Sequence, residues 1–486
     1  MRARFSFTIR VLSRPLPTAL AALGLLAGCG TAPPLKPPPG LSANLWQAPL
    51  PHAGRTADLT RWWQQFDDPL LPALVDEAQA THPLLAQAVA RVEQARAAQR
   101  ISAAAGWPGT TANAQASRGA TAATGFNTVS QLGAGVDAGW EIDLFGRVRQ
   151  GVQAAQARAA QAELGWHDAR ISLAAEVAQT YLGLRTCEAL VALYTRESDS
   201  LGRSAALVQR KADVGFEAPV HARLTQAAAA QARDRVAAQQ TECALATQAL
   251  AMLTGSTADG LHERLATRTA RLPIPSSFTV ATLPAATLAQ RPDLAAAEQE
   301  LQASAAEVGV AEAARWPQLT LNGSIGIGLV RAGGTTTDAL TWGFGPNLTL
   351  PVFDHGRLQA QADAARARYD EARAGYAVKL RSAVREVEEA LLRIDASQRR
   401  EADARTAAEG LRSVLTSTEE RTRLGAASVL ETEDARRQTL SAEATLLALQ
   451  REQVAAWISL YRAVGGGWTR GGDALPVRTS LPGSPA

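Results

Sequence analysis

The chain repeats itself at long range, and this limits its fold more than any other feature. His82-Pro83 and Arg291-Pro292 stand 209 residues apart, as do Trp107-Pro108 and Trp316-Pro317. Gly146-Arg147 and Gly356-Arg357, Glu176-Val177 and Glu386-Val387, and Val214-Gly215 and Leu424-Gly425 each stand 210 apart. Five landmarks recurring in one order mark an internal duplication. Solenoid repeats have periods of roughly 20–50 residues, so each copy here is a large unit in itself.

Each copy reads as a short helix, two strand-like segments and two long helical stretches around a glycine turn. The strand segments alternate with period two. Leu319, Leu321, Ile325, Ile327 and Leu329 alternate with Thr320, Asn322, Ser324, Gly326 and Gly328, and Trp342, Phe344, Leu348, Leu350 and Val352 with Gly343, Gly345, Asn347 and Thr349. In the first copy Leu132, Ala134, Val136, Ala138, Trp140 and Ile142 alternate with Gln131, Gly133, Gly135, Asp137, Gly139 and Glu141. A strict period of two predicts half-exposed strands. Runs of about 11 residues are close to the ~9–11 that a tilted strand needs to cross a bilayer. The polar face is mostly small residues, as expected for a wet lumen opposite a lipid-facing side, although a soluble sandwich would show the same alternation. Trp140 and Trp342 are expected near strand ends, where interfacial aromatics belong. Thr111 to Arg118 is a weaker strand, apolar only through alanine, and Pro346 and Pro351 are expected at bulges or a strand end. Four strands cannot close a membrane barrel, which needs about eight, so transmembrane strands here require several identical chains.

The stretches from Arg147 to Asp213 and from Arg357 to about Thr422 contain no proline. In the second, Tyr369, Ala372, Tyr376, Leu380, Val384, Val387, Leu391 and Ile394 recur every three or four residues, the seam of a coiled coil. At ~1.5 Å per residue each stretch spans roughly 100 Å, too long for a compact globule. Return helices are expected over about Pro219 to Leu253 and Val429 to Val464. Shorter helices, about Leu84 to Ala105 and Leu294 to Ala314, are expected to stack on them.

The N-terminus reads as a signal peptide: arginines, an apolar run from Leu16 to Ala27, then Leu26-Ala27-Gly28-Cys29, which matches the lipobox of bacterial lipoproteins. Cys29 is then the lipidated first mature residue, carrying diacylglycerol and an N-acyl chain. Gly30 follows it, and not the aspartate that retains many lipoproteins at the inner membrane. Loss of Arg2, Arg4, Arg10 and Arg14 takes the formal charge from +3 to −1, which gives no attraction to nucleic acid. The proline-rich residues 31–51 suit an extended tether. Cys187 and Cys243 lie 28 residues on either side of Gly215. On antiparallel helices they sit at one height, which admits either a disulfide or two buried free thiols.

Gly215 and Gly425 occupy helix ends where glycine caps in the left-handed region. Pro219 suits a helix start, and Ser428 with Glu431 has capping-box spacing. Glu431, Glu433 and Asp434 crowd the turn in the second copy only. They serve either as favourable charges at a helix N-terminus or, repeated around a tube, as an acidic ring that attracts cations.

Nothing in the sequence supports catalysis or a metal site. The six histidines are scattered, no HExxH, GxSxG or phosphate loop occurs, and the chain has only Lys36, Lys211 and Lys379. Trp166-His167-Asp168 has no nucleophile near it in sequence and is expected on a helix surface without a special role.

Trp62-Trp63 followed by Phe66-Asp67-Asp68-Pro69-Leu70, then Trp107-Pro108, Glu141-Ile142-Asp143-Leu144-Phe145-Gly146, Arg291-Pro292-Asp293 and Leu350-Pro351-Val352-Phe353 together resemble the outer-membrane factor (TolC-like) family. The likeness is to its NodT-type lipoprotein branch, which serves resistance-nodulation-division pumps. It implies a mainly α protein with transmembrane β: a homotrimer forming a 12-stranded outer-membrane barrel on a periplasmic α-helical barrel. Its partners would be outer-membrane lipid, a periplasmic adaptor and an inner-membrane transporter. Val214, Gly215, Phe216, Leu424, Gly425 and Ala426 match adaptor-contacting tips, and Glu431 and Asp434 fall where some members line a closed aperture. The expected layout is a signal peptide (1–28), lipidated cysteine and tether (29–60), two efflux repeats (61–270 and 271–464) and a flexible Gly/Pro-rich tail (465–486). The expected function is a passive exit duct. A periplasm-spanning coiled-coil lipoprotein is the alternative.

Overall fold

A computed structural model describes residues 35, 46–50, 55–56, 59–120, 128–275, 278–279, 287–332 and 334–469. Cys29, most of the proline-rich tether and residues 470–486 lie outside the described residues. In chain order the elements are β1 (Arg55–Thr56), α1 (Leu70–Thr81), α2 (Pro83–Ala104), β2 (Gly109–Gly119), β3 (Val129–Ile142), α3 (Arg147–Asp213), α4 (Pro219–Thr254) and α5 (Ala258–Leu265). The second copy continues with β4 (Phe278–Thr279), α6 (Pro292–Ala313), β5 (Gln318–Ala332), β6 (Thr335–Thr349), α7 (Arg357–Arg423) and α8 (Val429–Ala463).

Four strands form an antiparallel sheet in the order β2-β3-β5-β6, and β1 pairs with β4 in a separate two-stranded parallel sheet. Three of the strands run to 14, 15 and 15 residues, longer than the alternation alone marks out. β2 also forms in full despite its alanine face, because pairing with β3 satisfies its backbone. Pro346 sits inside β6 opposite Leu321 with the register unbroken, so it is neither a bulge nor a strand end. β6 is an edge strand of this chain, where a missing N–H is tolerated. Pro351 does lie past the end of β6. Trp342 corrects a second expectation: it is the eighth of the 15 residues of β6, at mid-strand.

The long helices start and stop at glycines in the left-handed region. Gly146 (φ 84°) and Gly356 (φ 79°) precede α3 and α7, and Gly215 (φ 82°) and Gly425 (φ 79°) follow them. Both helices are 67 residues long. Alanine lines their buried seams, as at Ala154, Ala157, Ala365, Ala383 and Ala390. Small side chains of high helix propensity allow such close packing.

The chain divides into two compact units that cut across the repeat, each drawing on both copies. The first (residues 1–38, 95–158 and 300–373) holds the four-stranded sheet and the adjoining helix ends, with Leu301, Val308, Ala365 and Tyr369 packed together. The second (39–94, 159–299 and 374–486) holds the main core, around Trp62, Leu71, Leu74, Tyr181, Leu182, Leu391, Trp457 and Leu460. In it the short helices begin where the return helices end. Thr81 Oγ1, at the end of α1 just before α2, donates to Thr254 O at the end of α4 (2.8 Å). Arg291 Nη1, just before α6, donates to Ala463 O at the end of α8 (2.9 Å). Trp468 is buried, so packing continues past the tail boundary at 465.

Candidate functional site

The four-stranded sheet has two unlike faces. Across the strands, Val136, Ile325 and Trp342 share one row, and Leu132 and Leu329 share another. All five are exposed, along with Ile327, Leu340, Phe344 and Leu348. An exposed apolar face of this extent has no place in water. The opposite face carries Thr111, Asp137 and Ser324 in one row, with glycine in most others. Asn113 Nδ2 donates to Asp137 Oδ2 there. A side chain would be crowded at Gly135 and Gly326: a Cβ would come within 3.1 Å of Ile325 O at the first and 3.0 Å of Ala134 O at the second.

Short acidic caps join the sheet to the long helices. The Asp143 carboxylate accepts from the backbone N–H of Val148 (3.2 Å) and Arg149 (2.9 Å). Asp354 accepts from Gly356 (3.0 Å) and Leu358 (2.9 Å), and these donors hold its carboxyl below its ordinary value. Such bonds satisfy donors that a helix start leaves open. Trp140 Nε1 donates to Gly106 O (3.0 Å), and Phe145 stacks on Trp316 at 5.5 Å.

The two hairpin tips are built alike. Phe216 N–H donates to Lys211 O (2.8 Å) and Gly215 N–H to Ala212 O (3.1 Å); Ala426 N–H donates to Arg421 O (2.8 Å) and Gly425 N–H to Thr422 O (3.1 Å). This is the paired closure of a Schellman turn. It leaves Val214, Phe216, Leu424 and Ala426 exposed. A cleft of about 940 Å³, lined among others by Tyr194, Leu224, Leu430 and Leu440, lies near both tips.

The acids beside the second tip are largely engaged within the chain. Glu431 completes a capping box: its Oε2 accepts from Ser428 N–H (2.7 Å) while Ser428 Oγ accepts from Glu431 N–H (3.1 Å). The Ser428 N–H holds the Glu431 carboxyl below its ordinary value. Asp434 is exposed and accepts from Arg437 and Gln438, each at 2.8 Å. Glu433 pairs with the buried Arg436, which also reaches Glu419 (2.9 Å). Sequence reasoning overlooked these arginines, although Glu433 to Arg436 and Asp434 to Arg437 each have the i,i+3 spacing of a helical ion pair.

Cys187 on α3 and Cys243 on α4 are joined by a disulfide, with Cα atoms 5.5 Å apart. The motif residues near the N-terminus clamp the core. Tyr181 OH donates to the buried Asp68 (2.6 Å) and accepts from Arg185 Nε (2.9 Å). Burial, then the bond to Asp68, raises the Tyr181 hydroxyl well above its ordinary value. Trp62 and Trp63 pack against Tyr461 at 5.3 and 4.6 Å. The buried Arg291 pairs with Asp293 (2.8 Å) and Glu386 (2.9 Å). Trp166 and His167 are also buried, His167 near Trp468 at 6.0 Å, which corrects their expected place on a helix surface. Among the described residues no group of three or more His, Cys, Asp or Glu could hold a metal, and no helix is long and apolar enough to cross a membrane.

The family model "Outer membrane efflux protein" matches residues 74–256 and again 283–466, segments that start 209 residues apart and end 210 apart. The chain is 31% identical to the outer membrane protein OprJ of Pseudomonas aeruginosa, over 93% of this chain and 96% of that one. It is 28% identical to the pyoverdine export outer membrane protein OpmQ of the same species, over 92% and 96%. Among solved structures, the outer-membrane channel OprN superposes with a TM-score of 0.80 at 29% identity, covering 90% of this chain and all of that one.

Proposed function

The chain belongs to the outer membrane efflux protein family, and from that premise we propose that it is the outer-membrane exit duct of a tripartite efflux pump, working as a homotrimer. One observation carries the proposal: a four-stranded sheet with no further strand on either edge among the described residues, apolar and exposed on one face, small and polar on the other. Three copies would supply twelve strands, enough to close a barrel around a wet lumen. The duct is passive. Energy and cargo choice belong to an inner-membrane transporter of the resistance-nodulation-division class, because a lumen face of glycine, serine, threonine and asparagine selects little.

The remaining parts follow from this reading. Cys29 carries the lipid that anchors the chain to the outer membrane. The exposed tips at Val214-Gly215-Phe216 and Leu424-Gly425-Ala426 meet a periplasmic adaptor. Glu431 and Asp434, near the second tip, line the closed aperture. The Cys187–Cys243 bond suits an oxidising periplasm. The mass of the detergent-solubilised particle tests closure: three chains are expected, and a stable monomer would overturn the duct.

A further inference from the structure

The four strands contain only two basic residues, Arg118 on β2 and Arg331 on β5, and both fall on one row. Arg118 pairs with Ser130 of β3 on one side, and Ser130 pairs with Arg331 on the other. Strand alternation puts this row on the apolar face, because Ser130 is two residues from Leu132 and Arg331 two from Leu329. Both arginines are exposed. Asp338 lies on the same face, opposite Leu329, one row nearer the sheet centre. It makes no ion pair with either guanidinium, and neither arginine has an ion-pair partner among the described residues.

The height of this row decides what it meets. The apolar rows run from Ile142 and Leu319 up to Leu132 and Leu329, ten residues along β3. At ~3.3 Å per residue this is about 33 Å of strand. A tilt of ~40° reduces it to about 25 Å, the height of the apolar band on outer-membrane barrels. The arginine row stands two residues beyond, on the order of 5 Å above the band and at headgroup level. It lies at the end of the sheet away from α2, α3, α6 and α7, which is the extracellular end if the helices face the periplasm. The two Cα positions are separated by two strand spacings, about 10 Å. Two guanidinium groups at that spacing, without an ion-pair partner in their own chain among the described residues, suit a ligand with more than one phosphate, since arginine binds phosphate oxygens in bidentate pairs.

We infer that Arg118 and Arg331 form a lipid-facing binding site for the phosphorylated glycolipid of the outer leaflet, present three times around the trimer. The inference rests on the outer-membrane duct reading and adds a specific lipid to it. Each arginine contributes on the order of fivefold to binding, and the pair roughly 30-fold.

The test is native mass spectrometry of the purified trimer titrated with bisphosphorylated lipid A, dephosphorylated lipid A or phosphatidylglycerol. Bisphosphorylated lipid A should be retained over the other two, and millimolar inorganic phosphate should not displace it. R118Q/R331Q should weaken its retention roughly 30-fold without changing conductance, with R118K/R331K falling between. Equal retention of the dephosphorylated lipid by the native trimer would overturn the site without any variant. Equal retention of phosphatidylglycerol, displacement by free phosphate, or unchanged retention by R118Q/R331Q would overturn it as well. Failure of the native protein to form conducting trimers would instead overturn the duct.

Discussion

Cys187 on α3 and Cys243 on α4 are covalently joined, whereas the repeat-equivalent positions on α7 and α8 hold Ser397 and Gln453. One hairpin is therefore stapled covalently, and its counterpart is held by packing and by non-covalent pairs such as Arg436–Glu419 and Arg412–Glu443. Cys187→Ser/Cys243→Ser should destabilise the first hairpin by on the order of 4 kcal/mol, the loop-entropy value for a closure of 56 residues. Hydrogen exchange should show faster opening of α3 and α4 with α7 and α8 unchanged. Equal rates in both forms would mean that the bond adds nothing to the hairpin. Intact mass of the unreduced protein should be lower than that of the reduced form by the mass of two hydrogen atoms, one from each thiol.

Gly215 and Gly425 close the tips with φ near +80°. A valine at either position costs about 1–2 kcal/mol of local strain, but nothing lies within 4 Å of an added Cβ at either glycine. Gly215→Val or Gly425→Val should therefore reduce co-purification of the periplasmic adaptor while outer-membrane levels hold. Parallel loss of both would point to misfolding.

Glu431→Gln/Asp434→Asn should raise conductance and reduce cation preference; unchanged values would remove these acids from the aperture. The pH dependence has a definite sign. The Ser428 N–H lowers the Glu431 carboxyl below 4.5, so the group stays charged in the folded chain at pH values where an unfolded glutamate takes up a proton. Its contribution to folding is present above that ordinary value and is lost as pH falls through the lowered one. Cation preference due to Glu431 should accordingly persist at pH 4.5 and fade only below it.

Tyr181→Phe removes the hydroxyl between Asp68 and Arg185 and leaves a buried carboxylate and guanidinium each short of a partner. A loss of about 1–3 kcal/mol is expected. It should be measurable as a lower unfolding midpoint with conductance unchanged.

The repeat, the long helices and the alternating strands were legible because their signals are periodic or punctuated by glycine and proline. α3 follows Gly146 and ends at Asp213, within a residue of its sequence limits, because glycine conformation fixes both ends. The extent of β6 was not legible, since pairing with β5 carries it through Pro346 and places Trp342 at mid-strand. Asp434 and Glu433 read as bare acids in the sequence, because the arginines that neutralise them, Arg437 and Arg436, stand three residues on and meet them only once the helix has formed. His167 read as surface because its partner Trp468 lies some 300 residues away, beyond the reach of any local pattern.

The most direct test of the duct is reconstitution of the purified protein in a planar lipid bilayer with single-channel recording. Discrete conductance steps that favour cations are predicted. A folded trimer that binds lipid yet never conducts would contradict the account and leave the chain a periplasmic coiled-coil spacer.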